Sequence, residues 1–449
     1  MARLFGTDGV RGLANRDITA QLALQIGEAA ARGIAGEPRA DGKKRVAIIG
    51  RDTRVSGEFL DHAIAAGLAA AGMDVVRVGV VTTPTVAHLT QADDDVALGV
   101  MISASHNPMS DNGIKLFAHG GFKLEDAVED HIESLIGADW ERPVGAAVGE
   151  IVWDPQRAAK SYIDHLVKSV NTDLSGMKIA VDCANGAASQ FGPDALRAAG
   201  AEVLVINASP DGININDGCG STHPEELQSF TVASGADFGV AYDGDADRCL
   251  AVDANGNLVD GDKIMGALAM DMKSRGELAQ NTLVVTIMSN LGLLLAMEEV
   301  GIQTVQTAVG DRYVLEEMRG GGFNLGGEQS GHIIASDHAT TGDGILSSLL
   351  IARMVKTSGQ TLAALVEPIR RLPQTLVNVS GVDRSAVDNP QLQAAVAEAE
   401  SQLGATGRVV LRSSGTEPLV RVMVEAATQT QADAVAATLA QAVRDNISL

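Results

Sequence analysis

Basic residues are scarce in this chain: 34 lysines and arginines stand against 57 aspartates and glutamates, a formal net charge of −23. A nucleic-acid backbone demands a basic footprint, so nucleic acid is not an expected partner. Cysteine is scarcer still. Cys183, Cys219 and Cys249 are far apart and form no CxxC pair, which fits a reducing compartment and three small buried side chains. Long apolar runs are missing too: "GLLLAM" and "LLIARMV" are much too short to span a bilayer. The opening "MARLFGTDGVRG" has no apolar signal core, so a cytoplasmic protein off the membrane is expected. No low-complexity linker occurs, and the parts of the chain are expected to pack closely.

What is present is the composition of a soluble globular protein, with 45% hydrophobic and 20% charged residues. A length of 449 residues predicts two to four domains. One pattern occurs three times. "RVAIIG", "MKIAVDCANG" and "TLVVTIMSN" are each followed by a helix-like segment and a second β-rich run. Gly72, Gly200 and Gly301 stand where a glycine closes a helix. Three β-α-β units predict three successive α/β layers, over 1–155, 156–256 and 257–372. Residues 373–449 read strand-helix-strand-strand-helix, a small α+β domain. A hinge near Leu372 and Pro373 would let the last two parts move.

Chemistry concentrates in a few polar loops. "DGDADR" sets Asp243, Asp245 and Asp247 at alternate positions between the apolar "FGVAY" and "CLAVD". In an extended segment the three carboxylates converge, and a hard divalent cation relieves their repulsion. A solvated acidic turn is the bland alternative. An EF-hand fails, because Arg248 and Ala254 fall where that loop needs glycine and glutamate. Arg248 beside a metal makes sense if a phosphate sits there, and magnesium fits such a ligand set.

"LRSSGTEPLVR" offers Ser413, Ser414, Gly415 and Thr416 between Arg412 and Arg421, a set suited to phosphate; a plain hairpin turn is the alternative. It has no Walker lysine, so a nucleoside triphosphate is not implied. In "LGGEQSGH", Glu328, Ser330 and His332 can hydrogen-bond a polar substrate. In "FGTDGVRG", Arg11 is the residue to meet an anion. "MISASHNPMSDNGIK" holds Ser105 and His106, yet no G-x-S-x-G elbow, and neighbours in an extended segment face opposite ways. His106 is therefore a poor base for Ser105. A serine that carries a phosphoryl group, its charge offset by Lys115, fits better.

Taken together, "SASHNP", "DGDADR", "GEQSGH" and "RSSGTEP" resemble, in order, the four loops of the α-D-phosphohexomutase family, and the resemblance covers essentially the whole chain. It implies three α/β domains and a TATA-box-binding-protein-like fourth domain around one cleft. By family position Ser105 is the phosphoserine and, with Asp243, Asp245 and Asp247, holds one magnesium ion per subunit. Glu328 and Ser330 become sugar contacts. Arg412, Ser413, Ser414, Gly415, Thr416 and Arg421 become the distal phosphate site, with Arg11 and His106 as further phosphate contacts. Lys115 and Arg248 assist the transfer, and Lys115 and His332 are both candidates for the general base.

Gln329, where methionine is common, and Ser103, where threonine is common, point to the glucosamine branch. The implied reaction interconverts glucosamine 6-phosphate and glucosamine 1-phosphate through a bound 1,6-bisphosphate, ahead of UDP-N-acetylglucosamine synthesis. A hexose 1,6-bisphosphate activator and a homodimer are implied as well. The alternatives are the same reaction on glucose or mannose phosphates, and a non-catalytic phosphosugar- or cation-binding protein on this scaffold.

Overall fold

The apolar run Val96–Ile102 forms a strand in which every residue is buried, as a central strand covered on both faces requires. The computed structural model describes residues 3–6, 8–34, 43–413 and 419–449. In it, this strand belongs to a six-stranded sheet ordered Val10–Leu13, Asp111–Ala118, Val96–Ile102, Val46–Arg51, Asp74–Val80, Ile151–Trp153. The pairings from Val96–Ile102 to Ile151–Trp153 are parallel, and those involving Asp111–Ala118 are antiparallel.

A second, five-stranded sheet runs Leu258–Val259, Cys249–Asp253, Phe238–Tyr242, Lys178–Asp182, Glu202–Ile206. It takes in Leu258–Val259, just past the division expected after residue 256. The third has four strands, Gln303–Thr307, Thr282–Thr286, Leu325–Gly327 and Ile333–Ala335. Both are mixed. The fourth is an antiparallel three-stranded sheet, Gln374–Ser380, Leu419–Glu425, Arg408–Ser413. Helices Pro390–Leu403 and Gln429–Ile447 pack on it around Leu392, Val420 and Leu439. Three mixed α/β units and an α+β tail are thus the architecture.

The three repeated helices are Ser56–Ala70, Ala188–Ala198 and Leu291–Glu299. Gly72, Gly200 and Gly301 follow them at φ +90°, +104° and +70°, the left-handed turn that a side chain would resist. One continuous apolar core joins the first three units, running from Ile48 and Met101 through Tyr162 and Tyr242 to Met265 and Leu349. The fourth unit has its own core and is tied on by polar groups. Fully buried Glu425 accepts hydrogen bonds from Asn290 Nδ2 (3.0 Å), the Leu291 N–H (2.9 Å) and Arg408 Nε (3.1 Å). The Asn290 amide also holds both backbone groups of Leu372, at 2.8 and 3.0 Å, where the hinge is expected.

All three cysteines are buried thiols. Among the described residues no helix is long and apolar enough to cross a membrane.

Candidate active site

Strand Val96–Ile102 delivers the chain into a loop that is held atom by atom. The Ser103 hydroxyl donates to Asp52 Oδ2 (2.6 Å) and accepts the Ser105 N–H (2.9 Å). Ser105 is buried and left-handed, at φ +52°. Its hydroxyl donates to Asp243 Oδ2 at 2.5 Å. The turn at Ser105 corrects the expectation that His106 faces away: the loop is not extended there, and His106 Nδ1 lies 3.3 Å from Ser105 Oγ. Burial, then Arg248 and Arg11, push the His106 ring down to about 4, so it is neutral at pH 7 and a weak base.

The aspartates converge for a reason other than the expected one. Residues 243–248 form a tight turn between strands Phe238–Tyr242 and Cys249–Asp253, with Ala246 at φ +57°, and are not an extended segment. Turn geometry still brings oxygens of Asp243, Asp245 and Asp247 within 4.8 Å of one another. Burial, then Asp247 and Asp245, hold the Asp243 carboxyl well above its usual range. Burial acts on Asp247 in the same sense, but Lys115, His332 and Arg248 together outweigh it and hold that carboxyl low. Lys115 Nζ reaches Asp245 (2.9 Å), Asp247 (3.2 Å) and Asp8 (3.0 Å). Thr83 adds a hydroxyl donor to Asp245 at 2.6 Å. Buried Asp245 Oδ1 and Asp247 Oδ1 have no hydrogen-bond partner among the described residues. Two orphaned carboxylate oxygens beside a third carboxyl are what a hard cation would satisfy.

Beside this cluster opens a cavity of about 440 Å³, lined in part by Asp8, Arg11, Asp247, Arg248, Glu328 and His332. The "LGGEQSGH" loop is shaped by its own backbone: the Glu328 N–H donates to the His332 carbonyl (2.9 Å), and the Gly331 N–H to the Glu328 carbonyl (3.0 Å). Glu328 Oε1 accepts the Gly310 N–H at 3.2 Å. The buried Ser330 hydroxyl and Gln329 Nε2 have no partner among the described residues. His332 Nε2 accepts the Gly342 N–H (3.2 Å), and Nδ1 stands 3.8 Å from Asp247.

In the fourth unit Arg412 and Arg421 face each other across the antiparallel pair. Burial and the neighbouring Arg421 lower the Arg412 pKa. Neither lines the cavity beside the aspartate turn. Ser413 is exposed at the strand end; Ser414, Gly415 and Thr416 lie outside the described residues.

Sequence reasoning missed several supporting residues. Asp8 sits within "FGTDGVRG", yet only Arg11, which it binds, drew attention. Lys123 bridges Asp8 and Asp311 and so links the first unit to the third. Arg54 follows a central parallel strand, at the end of the sheet where ligand loops gather, and that position was a usable signal. Thr83 and Asn216 carried none.

The arrangement matches known proteins along its length. Family models described as phosphoglucomutase/phosphomannomutase match in four parts: alpha/beta/alpha domain I over residues 2–142, domain II over 160–256, domain III over 260–372 and the C-terminal domain over 376–442. The phosphoglucosamine mutase of Bifidobacterium animalis subsp. lactis is 59% identical over 455 residues, spanning 100% of both chains. That of Mycobacterium sp. (strain KMS) is 58% identical over 99% of this chain and 100% of its own. A phosphoglucomutase/phosphomannomutase family protein from Burkholderia thailandensis superposes with a TM-score of 0.83 at 24% identity, over 100% of this chain and 99% of that one. Aspergillus fumigatus N-acetylphosphoglucosamine mutase, in complex with GlcNAc-6P and magnesium, does so with a TM-score of 0.70 at 22% identity, over 99% and 96%.

Proposed function

Since the chain belongs to the phosphoglucomutase/phosphomannomutase family, we propose that it is a phosphoglucosamine mutase, interconverting glucosamine 6-phosphate and glucosamine 1-phosphate. The observation that carries this reading is the buried Ser105 hydroxyl, 2.5 Å from Asp243 in the same turn whose Asp247 and Arg248 line a cavity of about 440 Å³. Full-length relatives at 57–59% identity, all phosphoglucosamine mutases, support the choice of sugar.

Ser105 carries the phosphoryl group. Its Oγ–P bond breaks as a P–O bond forms to the free hydroxyl of the bound monophosphate, and the hydroxyl proton passes to His332, because Asp8, Asp245 and Asp247 hold Lys115 as the ammonium ion. The resulting 1,6-bisphosphate turns in the cleft, and its other phosphoryl group returns to Ser105 Oγ, leaving the isomer. Lys115 and Arg248 offset charge around the transferred group. Glu328 and Ser330 hold sugar hydroxyls; the buried Ser330 hydroxyl, which has no partner among the described residues, supports that role. Arg412 and Arg421, with Ser413, Ser414, Gly415 and Thr416, take the phosphate that is not reacting, and Arg11 and His106 stand as further phosphate contacts. Asp243, Asp245 and Asp247 fit Mg²⁺, which when bound neutralises phosphoryl oxygens at Ser105.

On this reading the enzyme is a cytoplasmic homodimer; the three buried free thiols support a reducing compartment. Parallel turnover assays with glucosamine, glucose and mannose phosphates test the substrate. Preference for glucosamine phosphate by tenfold or more in kcat/KM is expected, and equal rates on glucose phosphate would overturn the assignment.

A further inference from the structure

We propose that Arg54 and Asn216 are positioning residues that clamp the carbonyl side of the Ser105 loop and thereby aim its hydroxyl. Arg54 is completely buried and paired with Asp52 through Nη1 at 2.5 Å. Its Nη2 donates to the carbonyls of Asn107 (2.5 Å), Ser105 (3.3 Å) and Pro108 (3.5 Å). Asn216, from the second α/β unit, donates Nδ2 to the same Ser105 and Asn107 carbonyls, at 2.9 and 3.1 Å. The Ser105 N–H is fixed from the other side by Ser103, itself held by Asp52. Ser105 is thus bound at both peptide groups in a left-handed conformation that a serine adopts only when its surroundings impose it.

The clamp also registers one unit against the other. Thr53 Oγ1 donates to the Asn185 carbonyl (2.7 Å), and the Val55 N–H donates to the Gly212 carbonyl (2.9 Å). Segment 52–55 therefore sets the serine loop of the first unit relative to the aspartate turn of the second. An error of about 1 Å in such an alignment costs on the order of 100-fold in rate.

The inference rests on Ser105 being the phosphoryl carrier. Its test uses the full-length enzyme with Asn216→Ala, Arg54→Lys and Ser105→Ala, assayed with glucosamine 6-phosphate and followed by amide exchange over residues 103–108. Asn216→Ala is expected to lower kcat by about 10- to 100-fold, with KM within about threefold of wild type, and to speed exchange in the loop. Arg54→Lys, which keeps the charge but loses the fork, is expected to lose kcat in the same way. Folded variants with wild-type kcat, or with losses confined to KM, would overturn the clamp while Ser105→Ala remained inactive. An active Ser105→Ala enzyme would instead overturn the carrier reading, and the clamp with it.

Discussion

Ser105 Oγ and Asp243 Oδ2 meet at 2.5 Å, though 138 residues and two different sheets separate them. One hydrogen bond thus joins the serine loop of the first unit to the aspartate turn of the second. Ser105→Ala is expected to abolish turnover, a loss of at least about 1,000-fold, because among the described residues Ser105 alone donates a hydroxyl to Asp243. Intact-mass measurement should find a wild-type fraction heavier by one phosphoryl group, absent from the variant. Full activity in Ser105→Ala sinks the carrier role.

The same contact gives Asp243 a second testable property. Burial and two neighbouring carboxylates hold it well above the usual range, so in the absence of a cation the cluster opposes folding. Asp243→Asn, which keeps an oxygen for Ser105, is expected to raise Tm in chelator by roughly 1–3 °C. It should also erase the Tm increase that added Mg²⁺ gives wild type. A variant that responds to Mg²⁺ as wild type does would remove Asp243 from the ligand set.

Much of this was legible in the sequence because the signals are local. Three strand-helix-strand repeats closed by Gly72, Gly200 and Gly301 follow from apolar periodicity and glycine placement alone. Ser105 and the three aspartates announced themselves as small polar clusters between apolar runs. Legibility stopped where conformation was assumed. Both the convergence of the aspartates and the separation of His106 from Ser105 were argued from extended backbone, and positive φ at Ala246 and Ser105 breaks that premise. The first conclusion survived because a tight turn also gathers its carboxylates; the second did not. Thr83 and Asn216 were invisible for another reason. Each acts through a contact spanning 162 or 111 residues of chain, which no short pattern encodes.

Asp262 should make stability depend on pH. It is buried, and the Asn290 N–H offsets only part of the penalty, leaving its carboxyl raised to about 7. The folded protein therefore holds this proton more tightly than the unfolded chain, whose carboxyl keeps its ordinary value of 3.8. Unfolding releases the proton between those values, so this group's contribution to stability falls as pH rises from about 4 to about 7. Asp262→Asn keeps an acceptor for Asn290 and should flatten that decline. Calorimetric Tm values across pH 4–8 check it; parallel curves for the two proteins refute the assignment.

The junction of the third and fourth units turns on Arg408 and Glu425. The carboxylate is fully buried, and Arg408 is its only cationic hydrogen-bond donor among the described residues, at 3.1 Å from Nε and 2.9 Å from Nη2. Arg408 Nη2 also donates to the Ser289 carbonyl at 2.6 Å, so the pair holds the fourth sheet against the third unit. Truncating only the cation strands a buried charge, and Arg408→Ala is expected to cost about 3–5 kcal/mol. Glu425→Gln in that background removes the charge while keeping an acceptor for Asn290 and Leu291, and should recover about half. Burial already raises the Glu425 pKa, so the Arg408→Ala penalty should shrink as pH falls toward 4 and the carboxyl is protonated. Denaturant unfolding of the two single variants and the double variant at pH 4.5 and 7.5 measures each term. A cost for Arg408→Ala that neither the second substitution nor acid reduces would show that the arginine acts through packing alone.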